Sequence, residues 1–200
     1  MVARLLLAVL LLTGCSGLAA PEPEGPLTGD ALVEALEDGG LVVYLRHAIT
    51  DGDAPDGLPT DPCSQQRGLT EEGRQQARDI GAAVRALAIP IGEVLASPYC
   101  RTVDTAQLAF GRVERSEVLL PIPRGADGEE RGKAQLTELL STEPSDGNTV
   151  LVGHVTNLRL AVDATPEEGG AVVLRPDGDG RFLLVAEIAP GAWQRLADSR

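Results

Sequence analysis

The sequence predicts an α/β domain: a three-layer α/β/α sandwich around a mostly parallel sheet with an antiparallel edge. Three observations carry that prediction. Short apolar runs rich in β-branched residues alternate with helical patterns, as in strand-helix-strand units. Two of these runs, Leu41-Val42-Val43-Tyr44-Leu45 and Thr149-Val150-Leu151-Val152, lead directly into the chain's two histidines, His47 and His154. The last two runs, Ala171 to Leu174 and Phe182 to Ala186, are joined by Pro176-Asp177-Gly178-Asp179-Gly180, a hairpin-like pair at a sheet edge. Apolar runs of this length are strands of a parallel sheet, buried on both faces.

The chain opens with Arg4 and then eight apolar residues, Leu5 to Leu12, a charged region followed by an apolar one. That is the layout of a secretory signal, and it is shorter than the ~20 residues needed to span a bilayer. Leu12-Thr13-Gly14-Cys15 follows and resembles the bacterial lipoprotein processing box. The resemblance implies cleavage before Cys15, acylation of that cysteine and a stable membrane anchor through more than one acyl chain. Ser16 rather than aspartate after the cysteine leans towards the outer envelope. Residues 15–30, with Ala20-Pro21-Glu22-Pro23-Glu24-Gly25-Pro26, form a proline-rich extended tether. The expected organisation is therefore a signal peptide over 1–14, a lipid-anchored tether over 15–30 and one catalytic-type domain over 31–200.

Within that domain, Ala31 to Glu37 reads as a short helix and 41–47 as the first strand. Ala48 to Gly68 is a loop rich in Gly, Pro and Asp. Thr70 caps a helix running to Leu87, with Glu71 and Glu72 at its positive end and an apolar stripe of Ala77, Ile80, Val84 and Leu87. Val94-Leu95-Ala96 is the second strand, Thr102 to Ala109 a helix, Val118-Leu119-Leu120 the third strand, Glu129 to Leu140 a helix and Thr149 to Gly153 the fourth strand.

The formal net charge of −13 excludes general attraction to nucleic acid or to an anionic membrane surface. An anionic substrate must be captured locally, by arginines. Ligands of open α/β sheets bind beyond the carboxyl ends of the strands, where Arg46-His47-Ala48, Ser97-Pro98-Tyr99-Cys100-Arg101-Thr102 and Gly153-His154 should meet.

These segments, with Leu69-Thr70-Glu71-Glu72-Gly73 and Gln76-Ala77 between the first two, resemble the histidine phosphatase superfamily, the phosphoglycerate-mutase-like enzymes, over about residues 41–186. The resemblance implies a phosphatase acting on phosphomonoesters through a phosphohistidine on His47. A neutral imidazole is a better attacker of an anionic phosphate than a carboxylate would be. Arg46 and Arg101 offer guanidinium forks to the equatorial oxygens. A protonated His154 and a hydroxyl from Thr50 are further donors to the bound phosphate. The general acid is not obvious: Val155 stands where one branch of the family has aspartate. In the other branch a glutamate comes from the segment after the third strand, where Glu129 and Glu130 lie. Asp53 sits where many relatives carry asparagine, and Ile49 is an unusual apolar residue for this loop.

With Cys15 consumed by lipid, Cys63 and Cys100 remain as an even pair in an oxidising compartment, and a Cys63–Cys100 disulfide is expected. No metal or cofactor is expected. The spacing of His47, His154, Cys63 and Cys100 fits no structural zinc site. The Asp51–Gly57 segment fails as a calcium loop because its twelfth position is Pro62. Walker and dinucleotide fingerprints are missing from the sequence. The function expected is an exported, lipid-anchored phosphatase, periplasmic or surface-facing, acting on a small phosphorylated substrate. The contrasting expectation is a non-catalytic anion-binding or scaffolding lipoprotein of the same fold.

Overall fold

A computed structural model describes residues 25–200; the expected signal peptide, Cys15 and most of the tether lie outside them. The elements are α1 (Gly29–Asp38), β1 (Val42–Arg46), α2 (Glu71–Ala86), β2 (Ile91–Ala96), α3 (Cys100–Phe110), β3 (Glu114–Arg115), α4 (Ala126–Leu140), β4 (Asn148–Gly153), α5 (Val155–Ala161), β5 (Ala171–Pro176), β6 (Phe182–Ile188) and α6 (Ala192–Asp198). They form one sheet of order β3-β2-β4-β1-β5-β6. The first four of these strands run parallel, β5 is antiparallel to β1, and β6 is antiparallel to β5. This is the expected mostly parallel sheet with an antiparallel edge.

Side chains of β1 alternate across the sheet, as the two-residue period of a strand requires. Val43 and Leu45 pack with Leu36 of α1, Ile80 and Val84 of α2, Ala106 of α3 and Trp193 of α6. Val42 and Tyr44 face the other way, onto Leu136 and Leu140 of α4 and Leu158 of α5. The sheet is thus sandwiched between two helical layers, and every residue of β4 is buried.

Strand β2 and helix α4 each begin three residues before their expected starts, and the structure departs from the sequence reading further in three places. Leu27 donates its N–H to Val185 O (2.6 Å), so the folded chain begins a few residues before the expected helix. The strand expected at Val118-Leu119-Leu120 is instead a single 3₁₀ turn, Glu117–Leu119, and the strand in this region is the two-residue β3. Leu119 is fully buried, and the carbonyls of Leu119 and Leu120 are satisfied by Asn157 Nδ2 (3.3 and 3.0 Å) rather than by a ladder. An apolar triplet has no period to separate a buried turn from a strand. The seven-residue helices α5 and α6 have no expected counterpart, being too short for a 3.6-residue pattern to register.

Two features of the chain's motifs have direct steric causes. Thr70 Oγ1 accepts the N–H of Gly73 (2.9 Å), the expected cap of α2, while Thr70 N–H donates to Ile49 O (3.0 Å). The first turn of α2 therefore lies against the loop after β1, and a Cβ on Gly73 would sit 2.0 Å from Ile49 O. Cys63 is bonded to Cys100 as expected, 37 residues apart, which ties the long loop after β1 to the first residue of α3. Closing a loop of that length stabilises the fold by about 4 kcal/mol on the chain-entropy account.

Gly73→Ala is expected to destabilise the domain by about 2–3 kcal/mol, because backbone on both sides has to move apart. Gly68→Ala, where a Cβ meets nothing within 4 Å, is the neutral control. Equal urea midpoints for the two variants would contradict this account.

Candidate active site

β1 and β4 are parallel neighbours with Arg46 opposite Gly153, so the residues that follow them leave the sheet side by side. The rings of His47 and His154 lie 5.7 Å apart, centroid to centroid, and both are buried. β2 flanks β4 on its other side, and Ser97 N–H donates to Val152 O (3.0 Å). The turn Ser97-Pro98-Tyr99 therefore delivers the start of α3 to the same edge. Arg101 places Nη2 3.4 Å from His154 Nδ1, with its guanidinium carbon 4.2 Å above the Tyr99 ring.

Tyr44 holds His154 from below. Its hydroxyl accepts the His154 N–H (3.1 Å) and donates to His154 O (3.3 Å). That hydroxyl occupies the space where a Cβ of residue 153 would be, 2.0 Å away, which explains glycine before the histidine.

Hydrogen-bond chemistry assigns both rings. His47 Nδ1 lies 2.9 Å from Ala48 O, which can only accept; Nδ1 therefore carries the proton and Nε2 the free lone pair. Burial is the main cause that lowers the His47 pKa from 6.5 to about 4, with Arg101 and Arg46 acting in the same direction against the Ala48 bond and Glu168. His154 Nδ1 faces a guanidinium, which can only donate, and its Nε2 lies 2.9 Å from Ser97 Oγ. Burial first, then Arg101 and His47, hold its pKa well below the ordinary value. The protonated His154 expected from sequence is thus a neutral imidazole here, because its neighbours are cationic and water is excluded.

Five charged side chains complete the site, and three of them were not anticipated. Arg46 donates from Nη1 to Pro166 O (3.0 Å) and approaches Glu168 Oε1 (3.5 Å) with Nη2. Arg101 Nη1 (2.9 Å) and Arg67 Nη2 (3.3 Å) share one oxygen of Asp56. Glu168 accepts from Thr50 N–H (3.2 Å) and Thr50 Oγ1 (2.8 Å), and its Oε1 is 3.8 Å from His47 Nδ1. The Nε–H groups of Arg46, Arg67 and Arg101 are buried with no hydrogen-bond partner in the protein. Orphaned buried donors are costly in a finished fold, and donors of one charge type at one strand edge suit an oxyanion.

The structure thus gathers Arg46, His47, Thr50, Arg101 and His154, and gives Thr50 a carboxylate partner. The candidate acids on α4 are placed differently. Glu129 accepts Gly125 N–H (3.3 Å) at the N-terminus of its own helix, and Glu130 lies on a surface groove beside Lys133, Thr137 and Gly180. The carboxylates brought to the imidazoles and guanidiniums are Asp56 and Glu168. Asp53 is exposed, its N–H turned onto Asp51 Oδ1 (3.1 Å). Arg67 directly precedes the Gly68-Leu69-Thr70 turn-and-cap segment, a position that could have flagged it. Glu168 had no motif to announce it. Among the described residues no group of three or more His, Cys, Asp or Glu has an arrangement suited to a metal ion.

Residues 42–121, from β1 past the 3₁₀ turn, match the histidine phosphatase superfamily (branch 1). That span contains Arg46, His47 and Arg101. No curated protein matches the chain in sequence. Among solved structures, the protein histidine phosphatase SixA complexed with tungstate superposes with a TM-score of 0.56 at 17% identity, covering 76% of this chain and 97% of SixA. A phosphoserine phosphatase mutant from Entamoeba histolytica, in complex with phosphoserine, gives 0.59 at 16% identity, covering 76% of this chain and 98% of its own. Mycobacterial hydrolase 1 gives 0.56 at 17%, covering 76% and 99%. These likenesses are of fold.

The depressed His47 pKa sets a pH dependence of stability. The unfolded imidazole titrates near 6.5, so the unfolded chain binds more protons as pH falls below that value. The stabilisation is complete above the unfolded pKa and declines as pH drops towards about 4. Between pH 7 and pH 5, His47 alone should cost about 2 kcal/mol. Urea denaturation across that range should show a shallower loss for His47→Gln than for the parent, and parallel profiles would contradict the buried neutral imidazole.

Proposed function

We propose that this chain is a member of the histidine phosphatase superfamily, that it cleaves phosphomonoesters through a phosphohistidine on His47, and that lipid on Cys15 holds it at the cell envelope. One observation carries the catalytic part: the proton of His47 is committed to Ala48 O, which leaves the Nε2 lone pair for phosphorus in a site where Arg46 and Arg101, both with spare donors, act on the same ring. In the reaction, Nε2 bonds to phosphorus as the bond to the leaving oxygen breaks, and that oxygen takes up a proton from solvent. Water then attacks the same phosphorus and releases Nε2. Catalysis of this transfer rests mainly on positioning and on charge stabilisation of the equatorial oxygens. Arg101 supplies the latter directly, while its contact with Asp56 has to yield to the substrate.

The solved neighbours include a protein histidine phosphatase and a phosphoserine phosphatase. Phosphorylated side chains are therefore to be tried beside other small phosphomonoesters. The export reading is supported by the leader pattern ahead of Cys15 and by the Cys63–Cys100 bond, since such bonds persist in oxidising compartments. A second reading, a non-catalytic anion-binding envelope protein, is favoured by two observations: Asp56 occupies Arg101, and neither Glu129 nor Glu130 contacts the imidazoles through a hydrogen bond or ion pair of the structure.

Two measurements test these readings. The soluble domain should hydrolyse p-nitrophenyl phosphate in excess chelator, and His47→Ala should lower kcat at least about 10³-fold, as loss of a covalent nucleophile does. An inactive parent that still binds vanadate would support the second reading. The full chain expressed in a bacterial host should sediment with membranes, and Cys15→Ser should move it to the soluble fraction; an unchanged distribution would reject the anchor.

A further inference from the structure

Among the described residues, Glu168 is the one carboxylate within 4 Å of the His47 ring nitrogens, and it approaches from the side opposite the free lone pair. Its Oε1 lies 3.8 Å from Nδ1, the nitrogen already bound to Ala48 O. The carboxylate is pinned in place from several directions. Thr50 donates to it twice, from N–H (3.2 Å) and Oγ1 (2.8 Å), and Arg46 Nη2 stands at 3.5 Å. Gln76 Nε2 holds the Glu168 carbonyl (2.9 Å), while Gln76 Oε1 accepts Ile49 N–H (3.1 Å). The following residue, Gly169, donates its N–H to His47 O (3.1 Å), and a Cβ there would fall 2.4 Å from the Gln76 amide. A charged group braced at this many points is built to stay where it is.

The geometry points to Glu168 as the counter-charge of His47, a positioning residue that stabilises positive charge on that ring. This inference rests on the phosphohistidine reading for its catalytic consequence. When neutral His47 bonds to phosphorus through Nε2, the P–O bond to the leaving group breaks. The ring keeps its Nδ1 proton and so becomes formally cationic. Among the described charged groups acting on the ring, Arg46 and Arg101 oppose that charge and Glu168 favours it, while neighbouring His154 is held neutral. A carboxylate at Nε2 would repel phosphate; one at Nδ1 favours the intermediate without crowding the substrate.

The chain's two histidines make the test clean. Glu168→Gln keeps one of the two acceptors for Thr50 and removes the charge; Glu168→Asp keeps the charge. With ¹³C-labelled histidine, NMR titration of the folded protein should place the His47 midpoint about one pH unit lower in Glu168→Gln than in the parent, and nearer the parent in Glu168→Asp. Phosphorylation of His47 by phosphoramidate should slow about 10- to 100-fold in Glu168→Gln and recover in part in Glu168→Asp. A His47 midpoint that is the same in the parent and Glu168→Gln overturns the inference. The titration needs no substrate, so a midpoint shift with no phosphorylation of any of the three proteins supports the counter-charge and rejects the phosphohistidine reading instead.

Discussion

The site depends on one pairing: β1 beside β4, parallel and in register, with Arg46 opposite Gly153. Parallel neighbours end at the same edge, so two histidines 107 positions apart in the chain come to within one ring contact. Register matters as much as direction. A slip of one residue in a strand exchanges its two faces. Here it would exchange Tyr44, whose hydroxyl braces His154, with Val43 or Leu45, which pack on the opposite helical layer. The apolar layers therefore do more than stabilise the sheet. They select the register in which a buried phenol reaches the second histidine, and Gly153 leaves room for it.

The second constraint is electrostatic. The chain is acidic overall, yet the buried guanidinium of Arg101, the half-buried ones of Arg46 and Arg67 and two buried imidazoles share one edge. Burying that many cations unpaired would be prohibitive. The structure resolves the conflict in two ways. Both imidazoles are held neutral by burial and by the arginines themselves. Two carboxylates from opposite flanks, Asp56 from the loop after β1 and Glu168 from the loop before β5, balance part of the remaining charge. Asp56 is mostly exposed and reaches in from a loop held to α3 by the Cys63–Cys100 bond and by Gln66, whose side chain accepts Cys100 N–H (2.9 Å). Glu168 is braced by the loop it serves. The two carboxylates are therefore unequal: one can move aside for an incoming anion, and the other is fixed.

Much of this was legible in the sequence, and the reasons are particular. His47 and His154 stood out because a strand buried on both faces is a continuous apolar run, and the residue after it is conspicuous. Thr70 stood out because capping demands a particular residue type, whereas the close approach of Gly73 to Ile49 O is visible only in the structure. Cys63 and Cys100 followed from parity. The 3₁₀ turn at Leu119 was misread as a strand because three apolar residues carry no period. The neutral state of His154 was missed because a pKa depends on neighbours from three other elements, Arg101, His47 and Arg67 among them, and no local pattern reports them.

Glu168 exposes a limit in the rule that directed attention to the site. The rule looks beyond the carboxyl ends of strands, and for β1, β2 and β4 it works. β5 runs the other way beside β1, with Leu45 opposite Ala171. For an antiparallel neighbour, the edge that holds the site is where the strand begins, so its functional residues precede it. Gly170 O accepts Arg46 N–H (2.9 Å), which fixes Pro166 to Gly170 against the end of β1. In a mixed sheet the search should therefore take the residues after each parallel strand and the residues before each antiparallel one. Applied here, that would have drawn attention to Glu167 and Glu168 from the hairpin alone, because a hairpin appended to a parallel sheet implies that one of its strands enters at the functional edge.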